Sequence, residues 1–284
     1  MKILITGASG QLGNCLKELA DSFKQFAFYF KSSKDLDITN IEDLERDFTE
    51  NQYDYCINCA AYTAVDQAES DVENAEKVNV LGSKNLAEVS KKNKTVLIHI
   101  STDFVFDGNK NTPYVENDVT NPLGVYGKTK LEGELAIQNV LESYFILRTS
   151  WLYSEFGNNF MKSMIRLGTD RDELGIIYDQ IGTPTYAMDL AKFILYLIQN
   201  KKQDFGVYHF SNLGAASWYD FAKAIFEYEN IEVKVNVIRT EQYPTPAERP
   251  KFSVMDKNKI LTTFDFQIPY WRESLKECLY KNKK

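Results

Sequence analysis

A tyrosine and a lysine four residues apart, Tyr126 and Lys130, stand where a loop containing Pro122 and Gly124 runs into a segment whose Leu131, Leu135, Ala136 and Val140 recur at helical spacing. On a helix that separation places both side chains on one face, so a phenol and an ammonium approach the same small volume. An ammonium beside a phenol favours the phenolate and draws the tyrosine pKa down from its ordinary value near ~10. A tyrosine tuned in this way can pass a proton to or from a substrate oxygen. Such pairs also occur by chance on surface helices, so the meaning of this one depends on what else the chain brings to it.

The first such element is at the start of the chain. Residues 2–6 are a continuous apolar run that leads directly into Gly7-Ala8-Ser9-Gly10-Gln11-Leu12-Gly13, after which Leu12, Leu16, Leu19 and Ala20 mark a helix. Strand, glycine turn and helix form the setting in which backbone amides cradle a pyrophosphate. Gly7, Gly10, Gln11, Leu12 and Gly13 are therefore assigned to a dinucleotide, although the spacing is Gly-x2-Gly-x2-Gly and not Gly-x-Gly-x2-Gly. A second strand, residues 26–30, ends at Lys31, Ser32 and Ser33. Folds that prefer NAD place an acid near this point for the ribose 2′-hydroxyl, whereas an ammonium and two hydroxyls suit a 2′-phosphate. NADPH is thus the expected cofactor, with NADH use left open. Asp37 and Ile38 belong to the same cofactor edge and lead, through Thr39 or Asn40 as cap, into a helix over residues 41–50.

The next strands end on small or polar residues. Residues 54–59 end in Ala60, Ala61 and Tyr62, where small side chains leave room for a flat ring, and residues 95–101 deliver Ser101-Thr102-Asp103-Phe104. Residues 70–93 read as one long helix, interrupted by a polar Asn79 that is either a cap-like kink or exposed. After the Tyr126 helix a strand returns at residues 145–148. This alternation predicts an α/β fold, a doubly wound parallel sheet of Rossmann type whose ligand crevice lies at the strand carboxyl ends. It assigns residues 1–150 to a dinucleotide-binding domain to which residues 186–211 return. Residues 151–185 and 212–284 form a smaller α+β region that would supply substrate contacts.

Composition narrows the function classes. A net charge of -7 and a pI near 5.1 give no global field for nucleic acid or anionic membrane. No apolar run approaches membrane-spanning length, and the expectation is a cytoplasmic protein. Cys56 and Cys59 form a CxxC inside an apolar strand, where the two positions face opposite ways and no second pair exists, so buried thiols are expected and no metal ligand is assigned. The only two histidines, His99 and His209, sit among apolar, β-branched and aromatic neighbours and read as packed strand residues.

Residues 101–108 (STDFVFDG), the Asp-Gln-x-Gly-x-Pro-Thr run at 179–185 and the Pro-x-Pro-Ala-x-Arg-Pro run at 244–250, together with Tyr-x3-Lys, carry a resemblance. The chain resembles the extended short-chain dehydrogenase/reductase family, and within it the dTDP-4-dehydrorhamnose reductases, from Lys2 to Trp271. The resemblance implies NADPH-dependent reduction of dTDP-4-dehydro-L-rhamnose to dTDP-L-rhamnose. In it, Tyr126 would protonate the C4 oxygen, Lys130 would hold the nicotinamide ribose and depress the tyrosine, and Thr102 would hydrogen-bond the developing alkoxide. Val65, Asp103, Phe104 and Trp151 would line the sugar nucleotide. Arg249 is added on the chemistry of guanidinium and diphosphate, a surface salt bridge being its ordinary alternative. Phe104 stands where the family often has Tyr, and Tyr62 where it often has His. Some relatives use Mg2+ at a subunit contact, but this sequence offers no carboxylate cluster for it, and monomer and homodimer are both left open. The alternatives are a reductase of another 4-keto-6-deoxy nucleotide sugar and a non-catalytic regulatory relative, such as the regulatory subunit of methionine adenosyltransferase.

Overall fold

The computed structural model describes residues 1–283. The first half alternates strand and helix: β1 (Lys2–Thr6), α1 (Gln11–Ala20), β2 (Ala27–Lys31), α2 (Ile41–Asn51), β3 (Tyr55–Asn58), the short α3 (Val65–Ala68) and α4 (Val72–Glu76), α5 (Gly82–Asn93), β4 (Val96–Thr102), α6 (Val125–Val140) and β5 (Tyr144–Thr149). The second half is more broken: β6 (Leu152–Tyr153), α7 (Phe160–Asp170), β7 (Glu173–Ile177), β8 (Ile181–Gly182), β9 (Thr185–Tyr186), α8 (Ala187–Gln199), β10 (Gly206–His209), β11 (Ala216–Ser217), α9 (Trp218–Glu229), β12 (Lys234–Ile238), α10 (Asn258–Thr263) and α11 (Trp271–Asn282).

Six strands form one parallel sheet in the order β10-β5-β4-β3-β1-β2. The chain runs outward from β1 to β2 and then crosses back to β3, so the strand order reverses beside β1 and a crevice opens at the carboxyl ends. The expected doubly wound parallel sheet is therefore present, and β10 joins it through pairing with β5. Because strand side chains alternate, Ile3 and Ile5 enter a core shared with α1 and α8, while Leu4 packs on the other face with Leu44 and Phe48 of α2 and Leu86 of α5. All of these are fully buried, and each such Leu or Ile contributes roughly 2 kcal/mol relative to leaving it in water. The first core continues into the second half through Met161 of α7, Phe221 and Ile225 of α9, and Trp271 and Leu275 of α11.

Three small ladders complete the second half: β7 with β12 in parallel, β8 with β11 antiparallel, and β6 with β9 in parallel. No helix among the described residues is long and apolar enough to cross a membrane. All four cysteines are free, and Cys56 is buried.

The expected helix over residues 70–93 runs unbroken from Val72 to Asn93, with one irregularity. Between α4 and α5, residues Lys77–Leu81 form a π-helical turn that rotates Asn79 inward. Asn79 is neither a cap nor exposed: it is 1% exposed, its Oδ1 accepts from the Tyr62 amide at 2.9 Å, and its Nδ2 donates to the Tyr62 carbonyl at 3.2 Å and to Thr129 Oγ1 at 3.0 Å. One side chain thus ties the segment after β3 to α6. Replacing it with alanine removes three hydrogen bonds, two to part-buried backbone groups of Tyr62 and one to the buried Thr129 hydroxyl, so Asn79→Ala should lower stability by about 1–3 kcal/mol in urea denaturation. A loss below about 0.5 kcal/mol, the range of a neutral surface change, would show that the clamp is dispensable.

Candidate active site

A cleft of about 940 Å³ lies along the carboxyl edge of the sheet. Toward the glycine turn and the ends of β2 and β3 its lining includes Gly7, Gly10, Gln11, Leu12, Gly13, Ser33, Asp37, Ile38, Ala60, Ala61 and Tyr62. Val65, Thr102, Asp103, Phe104, Tyr126, Lys130, Trp151 and Arg249 line the rest. Of the residues singled out from sequence, only Lys31 and Ser32 stand outside it.

The glycine-turn end is shaped by backbone. Gly7 has φ +64°, and a Cβ there would lie 2.5 Å from the Ala60 amide nitrogen, so glycine is required both for conformation and for space. Gly10 is the N-cap of α1, whose first turn has no side-chain cap and no acidic residue. Its free amides and positive dipole end would meet an anion unopposed. Gln11 is engaged across the cleft: Ser154 Oγ and Asn159 Nδ2 donate to its Oε1 at 2.9 and 3.0 Å. This links the glycine turn to the segment after β6.

The predicted role of Lys31 and Ser32 is not supported by their contacts. The Lys31 ammonium pairs with Asp47 on α2, and the Ser32 hydroxyl donates to Asp35 at 2.6 Å. Asp47 also accepts from Tyr53, so Lys31 answers a partly buried carboxylate on α2 and its ammonium is not directed to the cleft. Ser33 alone of the three lines the cleft.

At the chemical end, α6 presents Tyr126 and Lys130 from its first two turns. Its N-terminus has no cap of its own, and Glu69, at the C-cap of α3, supplies one by accepting from the Val125 amide at 2.9 Å. The helix also presses against the turn after β4, since a Cβ at Gly127 would collide with the Phe104 carbonyl oxygen. Phe104 and Tyr126 meet edge to face with centroids 5.6 Å apart. Thr102 Oγ1 donates to Asp103 Oδ1 at 3.1 Å and accepts from the Phe104 amide at 3.2 Å.

The expected depression of Tyr126 by Lys130 is corrected for the protein's own groups. Burial pushes the Tyr126 phenol up to about 12; the Thr102 hydroxyl opposes this and the Asp103 charge adds to it. Lys130 is 2% exposed, and burial lowers its ammonium to about 8, with Glu134 and Cys59 resisting. Its Nζ donates to the Ile100 carbonyl at 2.7 Å and lies 3.3 Å from His99 Nε2. Burial therefore outweighs the one-turn spacing, and Lys130 answers to β4 before it answers to Tyr126.

Two further assignments change in detail. Arg249 reaches the cleft but makes a bidentate pair with Asp66, 2.9 and 2.7 Å, and also donates to Thr245 Oγ1 and the Ala247 carbonyl. It latches the 244–250 segment to α3. Trp151 stacks on Trp218, with centroids 3.5 Å apart at 7°. Trp218, the first residue of α9, also lines the cleft and donates to Gln180 Oε1 at 3.1 Å. Sequence reasoning missed Trp218 as a site residue; its only signal was position at the head of a helix in an aromatic stretch. Among the described residues there is no group of three or more His, Cys, Asp or Glu arranged to hold a metal ion.

A glycine turn before a helix, a Thr-Asp at the end of β4 and a Tyr-x3-Lys on the next helix, gathered at one crevice, define an extended short-chain dehydrogenase/reductase. The profile of the RmlD substrate binding domain family matches residues 1–283. The chain is 42% identical over 286 residues to a dTDP-4-dehydrorhamnose reductase of Aggregatibacter actinomycetemcomitans, covering 97% of each. It is 37% identical over 280 residues to the spore coat polysaccharide biosynthesis protein SpsK of Bacillus subtilis, covering 98% of this chain and 96% of that one. Among solved structures, the Clostridium acetobutylicum dTDP-4-dehydrorhamnose reductase superposes with a TM-score of 0.97 at 43% identity over the whole of both chains. The Bacillus anthracis dTDP-4-dehydrorhamnose reductase, solved in complex with NADP, gives 0.95 at 41% identity over 99% of each. The chain belongs to the dTDP-4-dehydrorhamnose reductase family.

The environment of Asp103 makes a pH prediction. It is 1% exposed, and burial raises its carboxyl from 3.8 to about 6. With the folded value above the unfolded one, the protonated acid favours the fold; this contribution is complete below about pH 4 and is lost as pH rises through about 6. Asp103→Asn, which keeps an oxygen for Thr102, should therefore gain stability relative to the parent between pH 4 and 7.5, on the order of 2–3 kcal/mol. Parallel stability curves for the two proteins across that range would refute it.

Proposed function

We propose that this chain reduces the C4 keto group of dTDP-4-dehydro-L-rhamnose with NADPH, giving dTDP-L-rhamnose, and so acts as an NAD(P)H-dependent oxidoreductase of dTDP-rhamnose biosynthesis. The observation that carries the reading is the convergence of Thr102, Tyr126 and Lys130 with a glycine turn in one cleft. Relatives bearing this activity in their names match along nearly their whole length. The NADP complex of the Bacillus anthracis relative favours NADPH over NADH. The residues present fit such a cofactor: the uncapped α1 terminus suits its diphosphate, Ala60 and Ala61 leave space for a flat ring, and Ser33, Asp37 and Ile38 border the adenosine end.

In this reading residues 1–150 with 186–211 hold the cofactor, and residues 151–185 with 212–284 hold the sugar nucleotide. When bound, the cofactor supplies the hydride that reduces the carbonyl carbon. The chain's own groups manage the oxygen. Thr102 and Tyr126 donate toward the C4 oxygen, and as charge grows there the Tyr126 O–H bond breaks and its proton passes to the new alkoxide. A phenol pushed up to about 12 is fully protonated at neutral pH, the state that an acid needs. The Lys130 ammonium holds the nicotinamide ribose and makes that proton easier to release. Val65, Asp103, Phe104 and Trp151 contact the sugar nucleotide. Arg249, freed from Asp66 or sharing with it, takes the diphosphate.

Purified protein should oxidise NADPH only when given the 4-keto sugar nucleotide, and a panel of 4-keto nucleotide sugars with product stereochemistry read by NMR should single out dTDP-4-dehydro-L-rhamnose. Tyr126→Phe should lower kcat by at least ~10²-fold while NADPH affinity stays within about threefold. Unchanged turnover in that variant would sink the proton-donor role. Binding of both ligands by the wild type without turnover would support a regulatory protein instead.

A further inference from the structure

The buried polar chain behind Lys130 carries information that its length in sequence hides. Asn58 ends β3 and is 1% exposed. Its Oδ1 accepts from the Ala60 backbone amide at 3.1 Å and from Thr6 Oγ1 at 2.7 Å. A backbone N–H can only donate, so the oxygen of Asn58 faces Ala60 and Thr6, and its Nδ2 faces His99 Nδ1 at 3.0 Å. An amide Nδ2 can likewise only donate to a ring nitrogen, so His99 Nδ1 must be the acceptor and carries no proton. His99 is itself 1% exposed, and burial together with the Lys130 charge holds its imidazole well below the ordinary value, so the ring is neutral. In a neutral imidazole with a bare Nδ1, the proton sits on Nε2. That N–H points at Lys130 Nζ, 3.3 Å away.

A donor aimed at an ammonium is mismatched, because both groups have only hydrogens to offer; aimed at the neutral amine it finds a lone pair. We propose that Thr6, Asn58 and His99 form a positioning chain that locks His99 as the Nε2–H tautomer and thereby favours the neutral amine of Lys130 against its ammonium, setting the pH at which this lysine stops assisting Tyr126. His99 touches neither reacting atom in this account; it acts through Lys130. The proposal deepens the reading of Lys130 as the partner of Tyr126 and rests on it for its kinetic consequence alone. The other groups around Nζ are accounted for. The Ile100 carbonyl accepts from either form, and the Cys59 thiol, pushed up to about 12 by burial, is uncharged. Glu134, one turn further along α6, favours the ammonium but is already bonded to Arg148 and Ser101, and Tyr126 is a neutral phenol. The donor from His99 is thus the contact that works with burial against the charge.

The wild-type chain has only two histidines, so 15N-histidine labelling with two-bond 1H–15N correlation spectra, assigned by His209→Gln, reads the tautomer directly. The expected result is a neutral Nε2–H pattern for His99 that does not titrate between about pH 5.5 and 9. An Nδ1–H pattern, or an imidazolium in that range, would overturn the proposal whether or not any variant folds. The second arm is Asn58→Asp, whose carboxylate can still accept from Ala60 and Thr6 but accepts at the other oxygen too, forcing Nδ1–H on His99 and turning Nε2 into an acceptor for the ammonium. In 13C-lysine spectra assigned by Lys130→Met, the wild-type Lys130 should titrate near about 8. In Asn58→Asp the His99 pattern should switch to Nδ1–H and the Lys130 midpoint should rise by at least about one unit, a tenfold change in proton affinity. The basic limb of kcat/KM should move by the same amount. A folded Asn58→Asp protein with an unmoved Lys130 titration would refute the positioning role. The spectra need no turnover, so spectra as expected in a protein that reduces no keto sugar would support the His99 chain and refute the reductase reading alone.

Discussion

No side chain can stand where Gly7 meets the end of β3. Its φ lies in the left-handed region, and the Ala60 backbone occupies the space a Cβ would need. This contact lets the turn after β1 and the end of β3 share one edge, and it is at that edge that the strand order reverses and the crevice opens. On the opposite wall the same rule applies at Gly127, which allows the first turn of α6 to press on the Phe104 carbonyl. Two backbone-to-backbone approaches thus set the width of the site. Thr102, Tyr126 and Lys130 converge because the segments that carry them cannot move apart without losing those contacts.

Polar groups buried behind this edge fall into two kinds. Arg148 and Glu134 form a bidentate pair, 3.0 and 2.7 Å, that also receives Ser101 and reaches the Glu116 carbonyl, so α6, β4 and β5 are pinned together by a pair with almost all its bonding satisfied. Removing one partner of such a pair leaves an uncompensated charge and costs about 3–5 kcal/mol. Lys130 and Asp103 are equally buried but are not matched by an opposite charge at bonding distance, and burial displaces each toward its neutral form, to about 8 and about 6. The contrast is physically meaningful: satisfied buried ions hold a fold, while incompletely satisfied ones keep a protonation state within reach of working pH.

Where residues lie on one element, or a strand ends in a recognisable turn, the sequence was legible. The buried parallel strands read as unbroken apolar runs, and Tyr-x3-Lys needs only the helical period to bring its residues to one face. What was not legible depends on partners far apart in the chain. Lys31 finds Asp47, Arg249 finds Asp66 from 183 residues away, and Lys130 finds His99 instead of Tyr126, each pairing decided by tertiary burial that no local pattern encodes. Asn79 marks the irregularity in the sequence but not its kind: a π-helical insertion turns its side chain inward to Tyr62 and Thr129, distant partners that Val78-Asn79-Val80 does not name.

The least predictable feature of the cleft is a backbone conformation. Trp151 holds φ at +47°, a conformation that costs a bulky residue of order 1–3 kcal/mol and persists only where its surroundings over-determine it. The surroundings here do so from three sides. The Trp151 carbonyl accepts from the Thr185 amide at 3.2 Å, its indole packs so closely on Gly182 that a Cβ there would fall 2.6 Å from a ring carbon, and it stacks on Trp218. Trp218 is itself fixed at the head of α9 by the Ser217–Asp220 capping box and by its bond to Gln180, which in turn bonds Thr240. The strain is therefore held by contacts that all come from residues 180–240, outside the first five strands of the sheet. A ring so constrained cannot swing to widen or narrow the cleft that it lines. The shape of this end of the cleft thus follows from the rigidity of the second half, whereas the placing of Thr102, Tyr126 and Lys130 follows from the sheet edge and α6.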